Sequence, residues 1–151
     1  MPETDLMVLV ETFLGENLPC KVGIIRMIDE TPNEIEYPFV GILDGGDNTK
    51  EGAPEGMDRE IILVVSYEEV TGDPRESVLA AKSRIKQIRA LLEAPENFYS
   101  TGAFSSYQGV NYKGSSEGIP AKIRDSNKDI AVKLGKFEFN RHYCLVEEDM
   151  L

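Results

Sequence analysis

Four short stretches of this 151-residue chain carry side chains of a kind that does chemistry. The first, Gly45-Gly46-Asp47-Asn48, joins a glycine pair able to turn backbone N–H groups toward an anion to oxygen donors that suit Ca²⁺. Neither use passes a spacing test. A phosphate loop needs a Lys-Ser/Thr pair opening a helix, and an EF-hand needs alternating acids and a distant Glu between two helices. The chain continues instead into the strand-like DREIILVVSYEEV. The stretch is therefore predicted to be a hairpin corner, where Gly and Asp/Asn relieve positive-φ strain. Asp47 and Asn48 would stand at its tip, within reach of a neighbouring molecule.

The second stretch holds His142, the only histidine, two residues from Cys144. On a strand these two share a face with Glu138 and Asn140, and a Cys-His pair so placed is conceivable as a nucleophilic dyad. No oxyanion-type glycine turn accompanies it. The third, Lys113-Gly114-Ser115-Ser116-Glu117-Gly118, has the composition of a phosphate loop without its strand-to-helix context, and reads as a flexible loop. The fourth is a set of cations, Lys82, Arg84, Lys86 and Arg89, on or beside the polar faces of a predicted helix. These suit an acidic neighbour, including another copy of the same chain. The competing reading is a solvated helix that gains about a few tenths of a kcal/mol from charge pairs.

Charge gives that basic helix its context. The net charge is −11, but residues 1–73 hold 17 acids and 4 bases, residues 75–93 hold 2 acids and 5 bases, and residues 94–151 hold 8 and 7. An acidic chain repels phosphate backbones, which argues against nucleic-acid affinity resting on counterion release. The two cysteines, Cys20 and Cys144, lie far apart with no Cys/His spacing around them, so neither a disulfide framework nor a zinc site is expected. Apolar runs such as Ile61 to Val65 are too short to span a bilayer, and the N-terminal MPETDLMVLVE is acidic where a secretory signal is basic. A protein made in the cytosol, with no membrane partner, is the expectation. Its length fits one domain, 1–151.

The elements that must position these residues are set by periodicity. Thr4 is placed to cap a helix over residues 5–17, with Leu6, Leu9, Val10, Phe13 and Leu14 on one face. CKVGIIRMID predicts a strand over 20–28, and EYPFVGILD another over about 37–44. DREIILVVSYEEV reads as a central strand apolar on both faces, joined to the previous one by a loop over 45–57. Asp73-Pro74-Arg75-Glu76 is a strong helix start, with Asp as N-cap and Pro in the first position. Val78, Ala81, Ile85, Ile88 and Leu92 form one stripe, and Pro95 ends the helix. Residues 99–120 show no period and are predicted as a long irregular loop or arm bearing Phe104, Tyr107 and Tyr112. Residues 121–134 read as a short strand or an irregular return. GKFEFNRHYCLV alternates as a half-buried closing strand.

In this order of elements the chain resembles the tail terminator proteins of long-tailed bacteriophages. The likeness lies in the N-terminal helix, the strand opening Glu36-Tyr37-Pro38-Phe39-Val40, the loop into the apolar strand from Arg59 to Val70, the capped helix from Asp73 to Leu92, and the closing aromatic strand from Lys136 to Val146. The resemblance implies an α+β fold, a mainly antiparallel sheet with one long helix and a short N-terminal helix packed on one side. It implies self-association into a ring, usually hexameric, at the head-proximal end of the tail tube, with a tail tube protein below and a neck or head-completion protein above. DNA would pass through the lumen without specific binding. No catalysis and no cofactor are implied, and the location is the virion, after assembly in the host cytoplasm. The acidic excess would line the channel. The two loops would be arms, with Phe104, Tyr107 and Tyr112 as interface anchors. Two other classes compete: a monomeric adaptor binding through the aromatic loop, and a small enzyme using His142, Cys144 and Glu138.

Overall fold

The structure, a computed structural model, describes residues 5–28, 35–47, 57–115, 119–122 and 129–142. Helix α1 (Leu6–Asn17) begins where the Asp5 side chain accepts a hydrogen bond from the Met7 N–H at 2.8 Å. The cap is therefore Asp5 and not the predicted Thr4, which lies outside the described residues. Asp is at least as good an N-cap, because its carboxylate satisfies an orphan donor of the first turn. Leu6, Val10 and Leu14 are buried, and Leu9 and Phe13 pack beside them.

Strand β1 (Lys21–Ile24) is shorter than the predicted 20–28 and pairs in parallel with β2 (Phe39–Asp47). A parallel pair needs a crossover. Part of it packs on the sheet, since Ile25, Ile35 and Tyr37 cluster with Phe39, Val65 and Tyr67. The Tyr67 hydroxyl donates to the Ile28 carbonyl at 2.6 Å.

β2 runs through the glycine pair instead of turning at it. Against β3 (Met57–Glu69) its register shifts between Asp44 and Gly46. Gly46 has φ +92°, and its N–H donates to Asp44 Oδ1 at 2.8 Å. A Cβ on Gly45 would stand 2.4 Å from Ile61 Cγ2. The predicted corner is thus a β-bulge inside the strand: one glycine supplies the left-handed backbone and the other the close approach. Asp47 ends β2, and Asn48, with residues 49–56, lies outside the described residues.

β3 is central, as its sequence predicts, with Ile62 and Val64 buried on one face and Ile61, Val65 and Tyr67 on the other. Helix α2 (Pro74–Leu92) starts at the Asp73 cap, whose carboxylate accepts from the Arg75 N–H at 3.0 Å. Ala81, Ile85, Ile88 and Leu92 are buried as expected, but the first buried position is Ser77 and not Val78. Its hydroxyl donates to the Glu69 carbonyl at 3.2 Å, which makes the polar side chain tolerable against the sheet.

The predicted arm over 99–120 is folded over residues 99–115. A 3-10 turn (Pro95–Phe98) holds Asn97, whose side-chain amide donates to the carbonyls of Leu91 at 2.7 Å and Leu92 at 3.2 Å. The Asn97 carbonyl accepts from the Phe104 N–H at 2.7 Å. This drives Phe104 into the core at 0 % exposure, against the rings of Phe13, Phe98 and Phe139. Tyr107 is buried too, with its hydroxyl 3.3 Å from Glu60 Oε1. Beyond it come β4 (Gly109–Ser115) and β5 (Ile119–Lys122).

β6 (Asp129–His142) starts well before the predicted Lys136 and pairs with β3 along 13 register positions. Its other side pairs with β4 and β5. The sheet order is β1-β2-β3-β6-β4, with β5 also on β6. Among the described residues this is an α+β fold with a mainly antiparallel sheet. Both helices pack on one face, over Val40, Ile42, Ile62, Val64, Phe137 and Phe139. Each of these side chains contributes about 1.5–3 kcal/mol by leaving water.

Candidate functional site

The sequence-predicted cations converge with Tyr112 on one groove. Lys82, Lys86 and Arg89 are spaced by four and three residues, so they project from one side of α2 over the buried Ile85. Tyr112 of β4 and Lys133 of β6 face them across the groove, which encloses about 140 Å³. The Arg89 guanidinium carbon lies 4.5 Å from the centroid of the Tyr112 ring, a cation–π contact. Arg89 Nε also donates to Glu93 Oε1 at 2.9 Å. These two contacts fix the guanidinium in place.

Lys133 is the residue that sequence reasoning missed. It is 8 % exposed and makes neither a hydrogen bond nor an ion pair among the described residues. Its place is dictated by the strand: Lys133 stands opposite Ser66 on the helix-covered face, between the small Ala131 and Gly135. A Cβ on Gly135 would approach Ile85 Cγ2 to 3.2 Å, so the glycine lets α2 lie close while the lysine fills the adjoining space. The available signal is that pairing of small neighbours with a long cation on one face. It is hidden because a single lysine within the run Ile130 to Leu134, flanked on its own face only by Ala131 and Gly135, sets up no clear period.

Arg84 does not join the groove. Its Nη2 lies 2.8 Å from Glu68 Oε2, and its Nη1 donates to the fully buried Ser66 Oγ at 3.0 Å. Nearby, burial pushes the Cys20 thiol above its ordinary pKa, against the opposing pull of the Arg84 charge. That thiol is held protonated and is a poor nucleophile. Phe104 and Tyr107 are core residues and unavailable as interface anchors. Asp47 ends a strand away from the groove.

A second hollow, of about 360 Å³, opens on the opposite face of the sheet and is lined by Arg59, Asn111, Lys113, Glu138 and Asn140, among others. Glu138 is 5 % exposed, and its Oε1 lies 3.8 Å from both Arg59 Nε and Lys113 Nζ. The carboxylate expected beside His142 and Cys144 is thus engaged by two cations. His142 ends β6, and Cys144 lies outside the described residues. Lys113 and Gly114 belong to β4, so the predicted flexible loop is in part a strand; residues 116–118 lie outside the described residues.

Among the described residues no group of three or more His, Cys, Asp or Glu side chains is placed to hold a metal ion. No described helix is long and apolar enough to cross a membrane. Neither a protein-family model nor a curated protein matches the chain.

Proposed function

We propose that this chain is a non-enzymatic structural subunit of a long-tailed phage, a tail terminator or closely related neck component. It associates with its own copies into a ring, sixfold as the rings of that family usually are, at the head-proximal end of the tail tube. The observation that carries the reading is an edge of the sheet that no described strand covers. Among the described residues β1 pairs only with β2, and Ile24 at its end and Met27 and Ile28 just beyond it are exposed at 39 %, 47 % and 39 %. An unpaired edge next to three exposed apolar side chains favours association and is a hazard for a chain that stays alone. A second copy covers it in a head-to-tail arrangement, in which every interface is satisfied once the ring closes.

The architecture supports the same reading, since a single sheet with both helices on one face is what the resemblance implies. The tail tube protein and a neck or head-completion protein then bind the two ends of the ring, and the acidic excess of residues 1–73 lines a lumen through which DNA slides without sticking. The finished location is the virion. The adaptor alternative loses its anchors, because Phe104 and Tyr107 are buried in the core.

Negative-stain electron microscopy of the purified chain over a range of concentrations tests the proposal. Closed rings with a central hole are expected, and Ile24→Asp should leave only single compact particles with unchanged circular dichroism. Compact particles at every concentration, with tail tubes added as well as without, would overturn it.

A further inference from the structure

We propose that the groove between α2 and β6 is a binding site for a phosphoryl dianion, with Lys133 as its central cation. The site is independent of the ring, because β6 is separated from the β1 edge by two strands.

The first support is Lys133 itself. Its aliphatic stem is packed beneath α2, and no described carboxylate meets its ammonium group, which leaves that charge at the groove for a ligand. Among the described residues no carboxylate lines this groove. The Glu93 carboxylate is engaged by Arg89 Nε. Lys82 and Lys86 likewise make no hydrogen bond or ion pair among the described residues. Four cations therefore surround one space in a chain whose net charge is −11.

The second support is shape. A space of about 140 Å³ is small beside the roughly 300–1,000 Å³ of pockets for organic ligands and cofactors. It suits a tetrahedral oxyanion, free or as the end of a larger molecule that otherwise stays in solvent. A phosphoryl group in its dianionic form offsets two of the four charges, where a single carboxylate offsets one. Ile85 and the Tyr112 ring exclude water on the apolar side, which strengthens the attraction. Arg89, held by Tyr112 and Glu93, leaves both Nη groups without a partner among the described residues. Those paired donors match two phosphate oxygens side by side.

Isothermal titration of the full chain with inorganic phosphate, in chloride buffer at constant ionic strength, tests the site. Saturable binding at one site per chain is expected, and Lys133→Met should weaken it by about tenfold or more. Lys136→Met, on the opposite face of β6, should leave it unchanged. Should Lys133→Met fail to fold, the exposed pair Lys86→Gln and Arg89→Gln is expected to produce a similar loss without touching the core. Absence of saturable heat would overturn the proposal. So would equal affinity in Lys133→Met, which would mean loose attraction to surface lysines. A Lys133→Met variant that alters self-association while the parent shows no phosphate binding would assign the groove to a carboxylate of a second copy. Duplex DNA binding indifferent to Lys133→Met, with no response to phosphate, would assign the cations to a surface track; both results overturn the phosphate site.

Discussion

The two hollows lie on opposite faces of β6, one built around Lys133 and the other around Glu138, and they treat charge differently. In the Glu138 hollow a nearly buried carboxylate stands between Arg59 and Lys113, so the cations are answered inside the fold. In the Lys133 groove four cations meet with no carboxylate among the described lining residues. A buried charge with its partner beside it is explained by stability alone. A cluster of like charges with no described carboxylate beside it is not, and the proposed anion would answer it.

Removing the partner in the first hollow should have the largest effect. Glu138→Ala leaves Arg59 and Lys113 facing each other across a space, and a loss of about 2–3 kcal/mol is expected from urea unfolding. A loss below about 0.5 kcal/mol would mean that the two 3.8 Å contacts hold nothing, and the contrast between the hollows would disappear.

The same contrast recurs along α2. Arg84→Ala, which removes the contacts to Glu68 and Ser66, should cost about 2 kcal/mol, while Lys86→Ala should stay within about 0.5 kcal/mol. Equal losses would show that position on the helix, and not pairing, decides the outcome.

The exposed start of α2 provides a pH-dependent reference. Hydrogen bonds from the Arg75 side chain, and then its backbone, hold the Asp73 carboxyl below its ordinary pKa of 3.8. A folded pKa below the unfolded one gives stability that is present above the unfolded value and disappears as pH falls through the folded value. Asp73→Ala should therefore lower Tm by roughly 2–4 °C near neutral pH. In calorimetry the gap to the parent chain should close as the pH is taken below the carboxylate range. A gap that persists there would attribute the cap to backbone geometry and not to charge.

The smallest effect, and the one of opposite sign, is expected at Lys133. In phosphate-free buffer Lys133→Met should leave stability unchanged or raise it by up to about 1 kcal/mol, because it removes one of four cations for which the described residues supply no carboxylate in the groove. A clear loss would reveal an internal counter-charge and dissolve the distinction between the two hollows.

Strong periods make most of the fold legible. The stripe from Ala81 to Leu92, the Asp73-Pro74 start and the apolar run of β3 each point to one structure, and each is present. Where tertiary contacts override local pattern, the sequence is silent. β4 is obscured because Gly109, Asn111, Gly114 and Ser115 look like loop residues, although Val110 and Tyr112 alternate with Asn111 and Lys113 as a strand requires. Phe104 and Tyr107 look like free aromatics because the hydrogen bonds that turn them inward run through Asn97, which carries no apolar period. The glycine pair does mark a place of positive φ, but its bulge depends on Ile61 in the neighbouring strand. Of the groove, the α2 cations and Tyr112 are visible one by one. Their convergence is not, because it depends on how closely Gly135 lets the helix approach the sheet.

The long ladder between β3 and β6 also sets an order of events during synthesis. Met57 pairs with His142 and Glu69 with Ile130, so partners are 61 to 85 positions apart. At about 5–20 residues per second, one side of β3 waits roughly 3–17 s for its partner to be made. Throughout that interval Ile61 to Val65 offers an open apolar edge to other nascent chains, which makes it the segment a holding chaperone would meet first.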